Sequence, residues 1–290
     1  MKLDIFSHCA IDTICINDTN HIVPGGPACY CGIMAKTLKF DVTLHTKFGT
    51  DFPLIDYLLK KKILIENATS EKLTTQFTLK ILSSDRTLFL KNKCDAINYT
   101  SLNSDSVLIS PIFDEISNDT FEKIKKDANF IFLDPQGFLR RKDLQNKIYL
   151  EKTDLNLSGV SAIKISPDEL ECLTNKYEDA GMEQLQKKGI ENVILTNKQI
   201  ISLLSKNKIY TIKLPNLELF DTTGIGDIFC ATFCCTMIKE NDILWALSFA
   251  GGAAQAALES RQIGLEKIPS KGAVESNAYY FYNTIKFRQI

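Results

Sequence analysis

The chain has 290 residues, 44% of them hydrophobic and 24% charged, with a formal net charge of −1. This composition is typical of a globular protein with one sizeable core. A near-zero charge without a long Lys/Arg stripe argues against a nucleic-acid binder. Asp4 and Asp12 interrupt any apolar signal core, and no uncharged apolar run reaches the length of a membrane span. We therefore expect no secretory signal, no membrane and no nucleic-acid partner.

Nine cysteines are spread through the chain, and no two of them have the Cys-x-x-Cys spacing of a structural zinc site. Most have apolar neighbours, among which a free cysteine packs as a small hydrophobic side chain. Their odd number and the long chain favour reduced thiols, and we therefore expect a cytoplasmic protein.

The first part of the chain begins with a short buried strand, predicted over 3–7 and ending near Asp12. Short strands or an extended segment are expected over 13–24. Two glycines and a proline at 25–27 then lead into a helix, since proline suits the first helical turn and apolar residues recur at helical spacing. Another strand is predicted over 42–46.

Residues 76–91 follow a different pattern, because apolar and polar residues alternate on both sides of a polar turn at 83–86. This is the pattern of an antiparallel hairpin with one apolar face. The hairpin interrupts a pattern of alternating strands and helices. We therefore expect a small lid sheet outside the main sheet, built from about 12–24 and 74–105.

Beyond the hairpin, strands and helices alternate, as in a parallel, doubly wound sheet. Strands are predicted over 107–112, 130–133, 162–165, 193–195 and, as one or two strands, 200–214. Helices are predicted near 117–127, after 166–169, and over about 227–239 and 242–258. Because there is no internal repeat or linker, we expect a single α/β domain over 1–290.

Polar motifs lie where the predicted strands end. In chain order they are Asp12, the glycine pair, 134–137, 166–169, Thr196 and 221–227. Ligands of open parallel sheets bind outside the carboxyl ends of the strands. Motifs far apart in sequence are therefore expected to share one crevice.

The most informative segment is the run Asp221-Thr222-Thr223-Gly224-Ile225-Gly226-Asp227. An almost entirely apolar stretch follows it and is predicted to form a buried helix. Two glycines before a helix N-terminus offer free N–H groups and the positive end of the helix dipole to an anion. Asp227 would repel a bound phosphate, but it can accept the proton of a hydroxyl that is being phosphorylated. The alternative interpretation is an ordinary turn with a stabilising aspartate in the first helical turn.

This run, followed by a buried helix, resembles the signature of the ribokinase-like (PfkB) carbohydrate kinases. In that family the last aspartate is the catalytic base and the backbone of the glycine turn forms an anion hole. The resemblance assigns these roles to Asp227 and to Gly224, Ile225 and Gly226, although the family usually has Ala or Gly where Ile225 stands. The strand order and the early hairpin fit the family along essentially the whole chain. The resemblance therefore implies a ribokinase-like α/β fold, with a doubly wound, mostly parallel sheet and a small β-sheet lid.

The resemblance also implies an acceptor site. The glycine pair and an early aspartate are similar to family positions that contact substrate hydroxyls. Tyr30 stands in a region where many members carry Asn, and the segments 134–140 and 164–169 look more like the inositol-kinase-like branch. The implied acceptor-binding residues are Asp12, Gly25, Gly26, Tyr30, Gln136 and Arg140.

On the donor side, the resemblance implies ATP and Mg²⁺. Many members carry Asn-x-x-Glu near the magnesium; here Ser166 replaces the Asn, and Glu169 is expected to reach Mg²⁺ through water. Thr196 resembles a nucleotide-side threonine. A monovalent cation such as K⁺ is implied near Asp221 and Thr223. The implied nucleotide-binding residues are Ser166, Thr196, Thr222, Gly224 and Gly226.

The sequence thus predicts an ATP-dependent kinase for a hydroxyl of a small sugar or polyol, with a myo-inositol-like acceptor favoured. The alternatives are a nucleoside, ribose or sugar-phosphate kinase of the same family, and a catalytically silent ligand-binding regulator on the same scaffold. A Rossmann dehydrogenase is disfavoured, since no Gly-x-Gly-x-x-Gly follows the first strand. The resemblance also implies a homodimer formed through the lid sheet, whose open edge would invite pairing.

Overall fold

The computed structural model describes residues 1–16, 19–82, 85–215 and 221–290. Its strands are β1 (Lys2–Phe6), β2 (Ala10–Ile16), β3 (Thr19–Gly25), β4 (Asp41–His45), β5 (Leu64–Ile65), β6 (Thr75–Leu82), β7 (Asp85–Asn92), β8 (Ser106–Ile109), β9 (Phe130–Leu133), β10 (Arg140–Lys142), β11 (Ile148–Leu150), β12 (Ala162–Ile165), β13 (Asn192–Asn197), β14 (Ile200–Ser205), β15 (Lys208–Lys213) and β16 (Lys286–Gln289). Its helices are α1 (Pro27–Thr37), α2 (Ile55–Lys60), α3 (Asn118–Asp127), α4 (Gln136–Leu139), α5 (Pro167–Thr174), α6 (Glu178–Lys187), α7 (Ile225–Glu240), α8 (Ile243–Glu259) and α9 (Lys271–Thr284), with a 3₁₀ turn at Gly264–Lys267.

The central sheet has ten strands among the described residues, in the order β16-β15-β14-β13-β12-β9-β8-β1-β4-β5. The strands from β13 to β5 pair in parallel. β14, β15 and β16 extend one edge in antiparallel fashion. The inner strands are short apolar runs, as expected when helices cover both faces of a parallel sheet. The predicted doubly wound, mostly parallel sheet is confirmed.

Helices cover the sheet on both sides and enclose two large apolar clusters. The cluster on one face includes side chains of α1, α7, α8 and α9. The cluster on the other face includes those of α3, α5 and α6. α7 is buried over most of its length, as predicted, and begins two residues earlier than expected, with Gly224 as its N-cap. In the described ranges, no helix has both the length and the apolar character that crossing a membrane requires.

The lid is a separate sheet in the order β3-β2-β6-β7, counted within the described ranges. β2 pairs in parallel with β6 and antiparallel with β3, and β6 pairs antiparallel with β7. The predicted hairpin is therefore present. Of its predicted turn, residues 83 and 84 lie outside the described residues, while 85 and 86 already belong to β7. Residues 93–105, all of them described, contain no strand.

Two predicted element boundaries were wrong for identifiable reasons. Asp12 does not follow the first strand of the main sheet, since β1 ends at Phe6 and the chain enters the lid, where Asp12 lies within β2. The strand predicted over 107–112 ends at Ile109, two residues before Pro111, which has no N–H to donate to a ladder.

Candidate active site

The turn before α7 is shaped by one glycine. Gly224, the N-cap of α7, has φ +78°, and a Cβ placed on it would lie 2.5 Å from the ring of Tyr30. Any other residue would therefore strain the backbone and collide with an aromatic ring. The N–H of Ile225 bonds back to the carbonyl of Thr222 at 3.4 Å, and helix geometry leaves the next N–H groups of the first turn for an external acceptor.

Asp227 lies in this first turn and is one of the residues that line a cavity. Burial raises the pKa of Asp227 to about 7, and the nearby Asp134 adds to this effect. Lys164 and Arg140 act in the opposite direction. The carboxyl is therefore a poised proton acceptor, since a general base works best when its pKa is near the operating pH.

A buried ion pair stands beside this carboxyl. Lys164 Nζ lies 2.8 Å from Asp134 Oδ2, and their side chains are 12% and 1% exposed. Burial alone would lower the pKa of Lys164, but Asp134 and Glu169 outweigh it and raise that pKa, so the ammonium stays charged. Lys164 also borders Gly226, because a Cβ on that glycine would lie 3.6 Å from Nζ. The prediction missed Lys164 as a site residue, although a lysine inside the apolar strand Ala162–Ile165 was an available signal.

Asp12 and Arg140 also line the cavity and bring groups of opposite charge to it. Burial raises the pKa of Asp12 to about 7, Arg140 opposes the rise, and Asp227 and Asp221 add to it. Arg140 is held by a hydrogen bond from its guanidinium to the carbonyl of Ile112 at 3.1 Å.

Tyr30 connects the two glycine motifs. Its ring contacts Gly224 and also Gly25, where a Cβ would lie 3.0 Å from the ring. The side chain is 1% exposed, and its hydroxyl has no hydrogen-bond partner within the described ranges. A buried hydroxyl that borders a cavity is suited to bind a polar ligand there.

The cavity has a volume of about 410 Å³, which is within the range of small-molecule sites. Its predicted acceptor-side residues are Asp12, Gly26, Tyr30, Gln136 and Arg140. Its residues from the signature turn are Thr222, Thr223, Gly224, Gly226 and Asp227. Asp134, from the 134–137 motif expected at this crevice, also lines the cavity. Lining residues that were not predicted include Lys164 and the apolar lid side chains Phe77, Leu79 and Leu88.

Other predicted site residues lie outside that lining. Ser166 and Glu169 form a capping box on α5: the Ser166 hydroxyl accepts from the Glu169 N–H at 3.3 Å, and Glu169 Oε2 accepts from the Ser166 N–H at 2.7 Å. Thr196 lies near the end of β13 and donates to the carbonyl of Ile165 at 3.3 Å. In the signature turn, Asp221 precedes the lining residues and Ile225 lies between two of them, Gly224 and Gly226, without lining the cavity itself.

The two predicted cation positions differ in their surroundings. Among the described residues, no three metal-ligating side chains cluster closely enough to hold a metal ion by themselves. Mg²⁺ usually keeps several waters and binds one or two carboxylates together with substrate phosphates, which one carboxylate such as Glu169 can suit. Near Asp221 and Thr223, by contrast, the ammonium of Lys267 donates to both residues.

The structure thus combines a mostly parallel sheet, a small β-sheet lid and a carboxyl in the first turn of a helix that follows a glycine turn, which is the arrangement predicted for a small-molecule kinase. A sequence model of the pfkB family carbohydrate kinases matches residues 4–270. The chain therefore belongs to the pfkB family of carbohydrate kinases, and it is a carbohydrate or polyol kinase, as the resemblance predicted. No protein of curated function matches the sequence significantly.

Solved structures share the fold at low sequence identity. A pyrophosphate-dependent myo-inositol-1 kinase, converted into a myo-inositol-3 kinase by two substitutions, has a TM-score of 0.82 and 20% identity, over 97% of this chain and 99% of that one. A pyrophosphate-dependent kinase of the ribokinase family, complexed with a pyrophosphate analog and myo-inositol, has a TM-score of 0.82 and 18% identity, over 94% of this chain and 99% of that one. Ribokinase from Arabidopsis thaliana, complexed with ribose and ATP, has a TM-score of 0.78 and 16% identity, over 96% of this chain and 98% of that one.

Proposed function

We propose that this enzyme transfers the γ-phosphoryl group of ATP to a hydroxyl of a small sugar or polyol, with a myo-inositol-like acceptor favoured. Asp227 is the general base and the 224–227 backbone is the anion hole. One observation carries the proposal: Asp227 lies in the first turn of α7 and lines the same cavity as the acceptor-side residues.

The acceptor side suits a ligand with several hydroxyls. It combines the carboxyl of Asp12, the hydroxyl of Tyr30, the amide of Gln136 and the guanidinium of Arg140. These groups include both hydrogen-bond donors and acceptors, and a hydroxyl can use either. Gly26 also lines this side, and it packs so closely on the protein's own backbone that a Cβ there would lie 2.8 Å from the Ala10 nitrogen.

The proton of the reacting hydroxyl passes to Asp227. Its raised pKa makes it a stronger base than an ordinary carboxylate, and it is still ionised in an adequate fraction near neutral pH. Phosphoryl transfer asks mainly for positioning and charge stabilisation, so one base beside an anion hole is sufficient machinery.

The transferred phosphoryl group is stabilised by the N–H groups of the glycine turn and by the Lys164 ammonium. Lys164 stays charged through its pair with Asp134, and it borders Gly226. When bound, Mg²⁺ supplies further neutralisation of the donor phosphates. Glu169 would hold it through water, with Ser166, Thr196 and Thr222 on the nucleotide side.

The lid excludes water from the reaction. Phe77, Leu79 and Leu88 bring apolar surface to the cavity, opposite the polar ends of the main sheet. Water would otherwise compete with the acceptor hydroxyl for the phosphoryl group.

A homodimer formed through the lid sheet stays a prediction, which sedimentation of the purified protein would test. Ile22, on the edge strand β3, is 73% exposed and gives such an edge some apolar surface.

The test is a matrix of acceptors and donors. Myo-inositol, ribose, fructose and nucleosides are each incubated with ATP or with pyrophosphate, because similar folds are described with either donor. The readout is the phosphate ester formed, with Asp227→Asn protein prepared in parallel to reveal contaminating kinases. We expect the polyol with ATP to react fastest. Faster reaction of ribose or of a nucleoside would favour the ribose-kinase or nucleoside-kinase alternative. Tight ligand binding without any product would favour a silent regulator.

A further inference from the structure

Lys267 is the most buried lysine side chain that the proposed chemistry leaves unused. It ends the 3₁₀ turn at Gly264–Lys267, and its side chain is 0% exposed. A buried charge is costly unless it is paired and hydrogen-bonded. We therefore expect the groups that contact this ammonium to compensate its buried charge.

Three hydrogen bonds of its ammonium go to the signature turn. Nζ donates to the carbonyl of Asp221 at 3.0 Å, to the carbonyl of Thr223 at 2.9 Å, and to the carboxylate of Asp221. These three acceptors match the three donors of an ammonium. The Asp221 carboxylate also accepts from the N–H of Thr223 at 2.8 Å and from that of Gly264 at 3.3 Å.

This arrangement requires one positive charge. Burial alone would raise the pKa of Asp221, but the hydrogen bond and charge of Lys267 outweigh it and lower that pKa. Two carbonyl oxygens and a carboxylate that converge on one point would repel one another without a cation between them. Asp221 and Thr223 are also the residues to which the family resemblance assigns a monovalent cation. A second cation at this position would face the ammonium at hydrogen-bond distance, so the residues present do not fit K⁺.

The ammonium also sets the direction of the next amide. A trans peptide is planar, with its C=O and N–H pointing in opposite directions. The carbonyl of Thr223 points to Lys267, so the N–H of Gly224 is fixed in the opposite direction. The ammonium of Lys267 thus fixes the orientation of the Thr223–Gly224 peptide, the first peptide of the proposed anion hole.

We infer that the Lys267 ammonium takes the place of a monovalent cation and is a positioning residue for the anion hole, so that this enzyme works without K⁺. The inference rests on the proposed role of the 224–227 turn. Its test therefore includes a measurement that needs no catalysis.

The test compares Lys267→Met with Lys271→Met, which removes a lysine from an exposed pair with Glu275. Thermal unfolding and turnover are measured in Na⁺, K⁺, NH₄⁺ and choline chloride at an ionic strength of about 0.15 M, where general screening is equal. We expect wild type and Lys271→Met to show the same melting temperature and turnover in all four salts. Lys267→Met should melt lower in choline and regain stability in K⁺ or NH₄⁺, because a cation that binds only the folded state stabilises it. Its turnover should fall by about 10²–10³ in choline, as when one anion-hole group is lost, and recover in part with K⁺ or NH₄⁺.

Two results would overturn the inference: strong stabilisation or activation of wild type by K⁺ over Na⁺ and choline, or wild-type turnover of Lys267→Met in choline. If Lys267→Met does not fold, the double variant Asp221→Asn/Lys267→Met removes both buried charges and replaces it. The salt series of the wild type then decides by itself whether the enzyme needs K⁺. Failure of the proposed function is distinguishable. In that case Asp227→Asn keeps its turnover, whereas the melting temperatures still report on Lys267.

Discussion

Replacing Asp227 with Asn should move activity and stability in opposite directions. The substitution keeps the size of the side chain and removes its ability to take a proton. Loss of a general base lowers turnover by about 10²–10⁴, or roughly 3–5 kcal/mol of transition-state stabilisation. A variant that had merely lost its fold would lose stability together with activity.

The stability change follows from the raised pKa. The carboxyl titrates at 3.8 in an unfolded chain and at about 7 in the folded one. Between these values the folded state holds the extra proton, so the stability contributed by this group falls as pH rises from about 4 to 7. Above pH 7 the ionised carboxyl opposes folding by up to about 4 kcal/mol, at about 1.4 kcal/mol for each pKa unit. Asn carries no charge at any pH, so the variant should be more stable than wild type at pH 8 and no more stable near pH 4.

The measurement is denaturant unfolding at pH 4, 6 and 8 together with turnover at saturating substrates. Asp119→Asn is a matched control, since Asp119 also lies in a first helical turn but its side chain is 74% exposed. Its stability and turnover should change little. Unchanged turnover of Asp227→Asn would remove it as the base, and lower stability at pH 8 would refute the argument from burial.

Three further predictions concern the same cavity. In wild type, kcat/KM should rise with pH and level off above about 7, since the base must be unprotonated; a flat profile from pH 5 to 8 would contradict this. Gly224→Ala should abolish turnover and cost about 2–5 kcal/mol in an unfolding titration, because it combines a positive φ with a clash against Tyr30. The control Gly159→Ala has φ +84° in open space and should cost only about 1–2 kcal/mol. Lys164→Met should cost about 3–5 kcal/mol by leaving Asp134 buried and unpaired; adding Asp134→Asn should restore stability but not turnover, and restored turnover would exclude the lysine from phosphoryl binding.

Features encoded by local sequence were predictable. The glycine turn and the apolar helix after it are adjacent in the chain, so their geometry follows from backbone freedom and periodicity. The inner strands 130–133 and 162–165 were located at their observed bounds, because short apolar runs flanked by polar residues leave few choices. The lid hairpin was recognisable from its alternation.

Features created by distant contacts were not. Lys267 acquires its environment from Asp221, and Lys164 from Asp134, which lies 30 residues away. The apolar strand around Lys164 indicated burial but not its partner, and nothing local to Lys267 indicated either. Strand β16 was not predicted because all four of its residues are exposed, so its sequence has no buried apolar face by which a strand is recognised. The position of Asp12 was misjudged since nothing local marks where the chain leaves the main sheet.

That position of Asp12 has a consequence for the order of events in catalysis. Asp12 belongs to the lid strand β2, whereas Asp227 belongs to helix α7, which packs on the main sheet. Under the proposed roles, a movement of the lid would carry Asp12 towards or away from Asp227. The acceptor site would then be complete only with the lid closed, so the acceptor would bind before the lid closes.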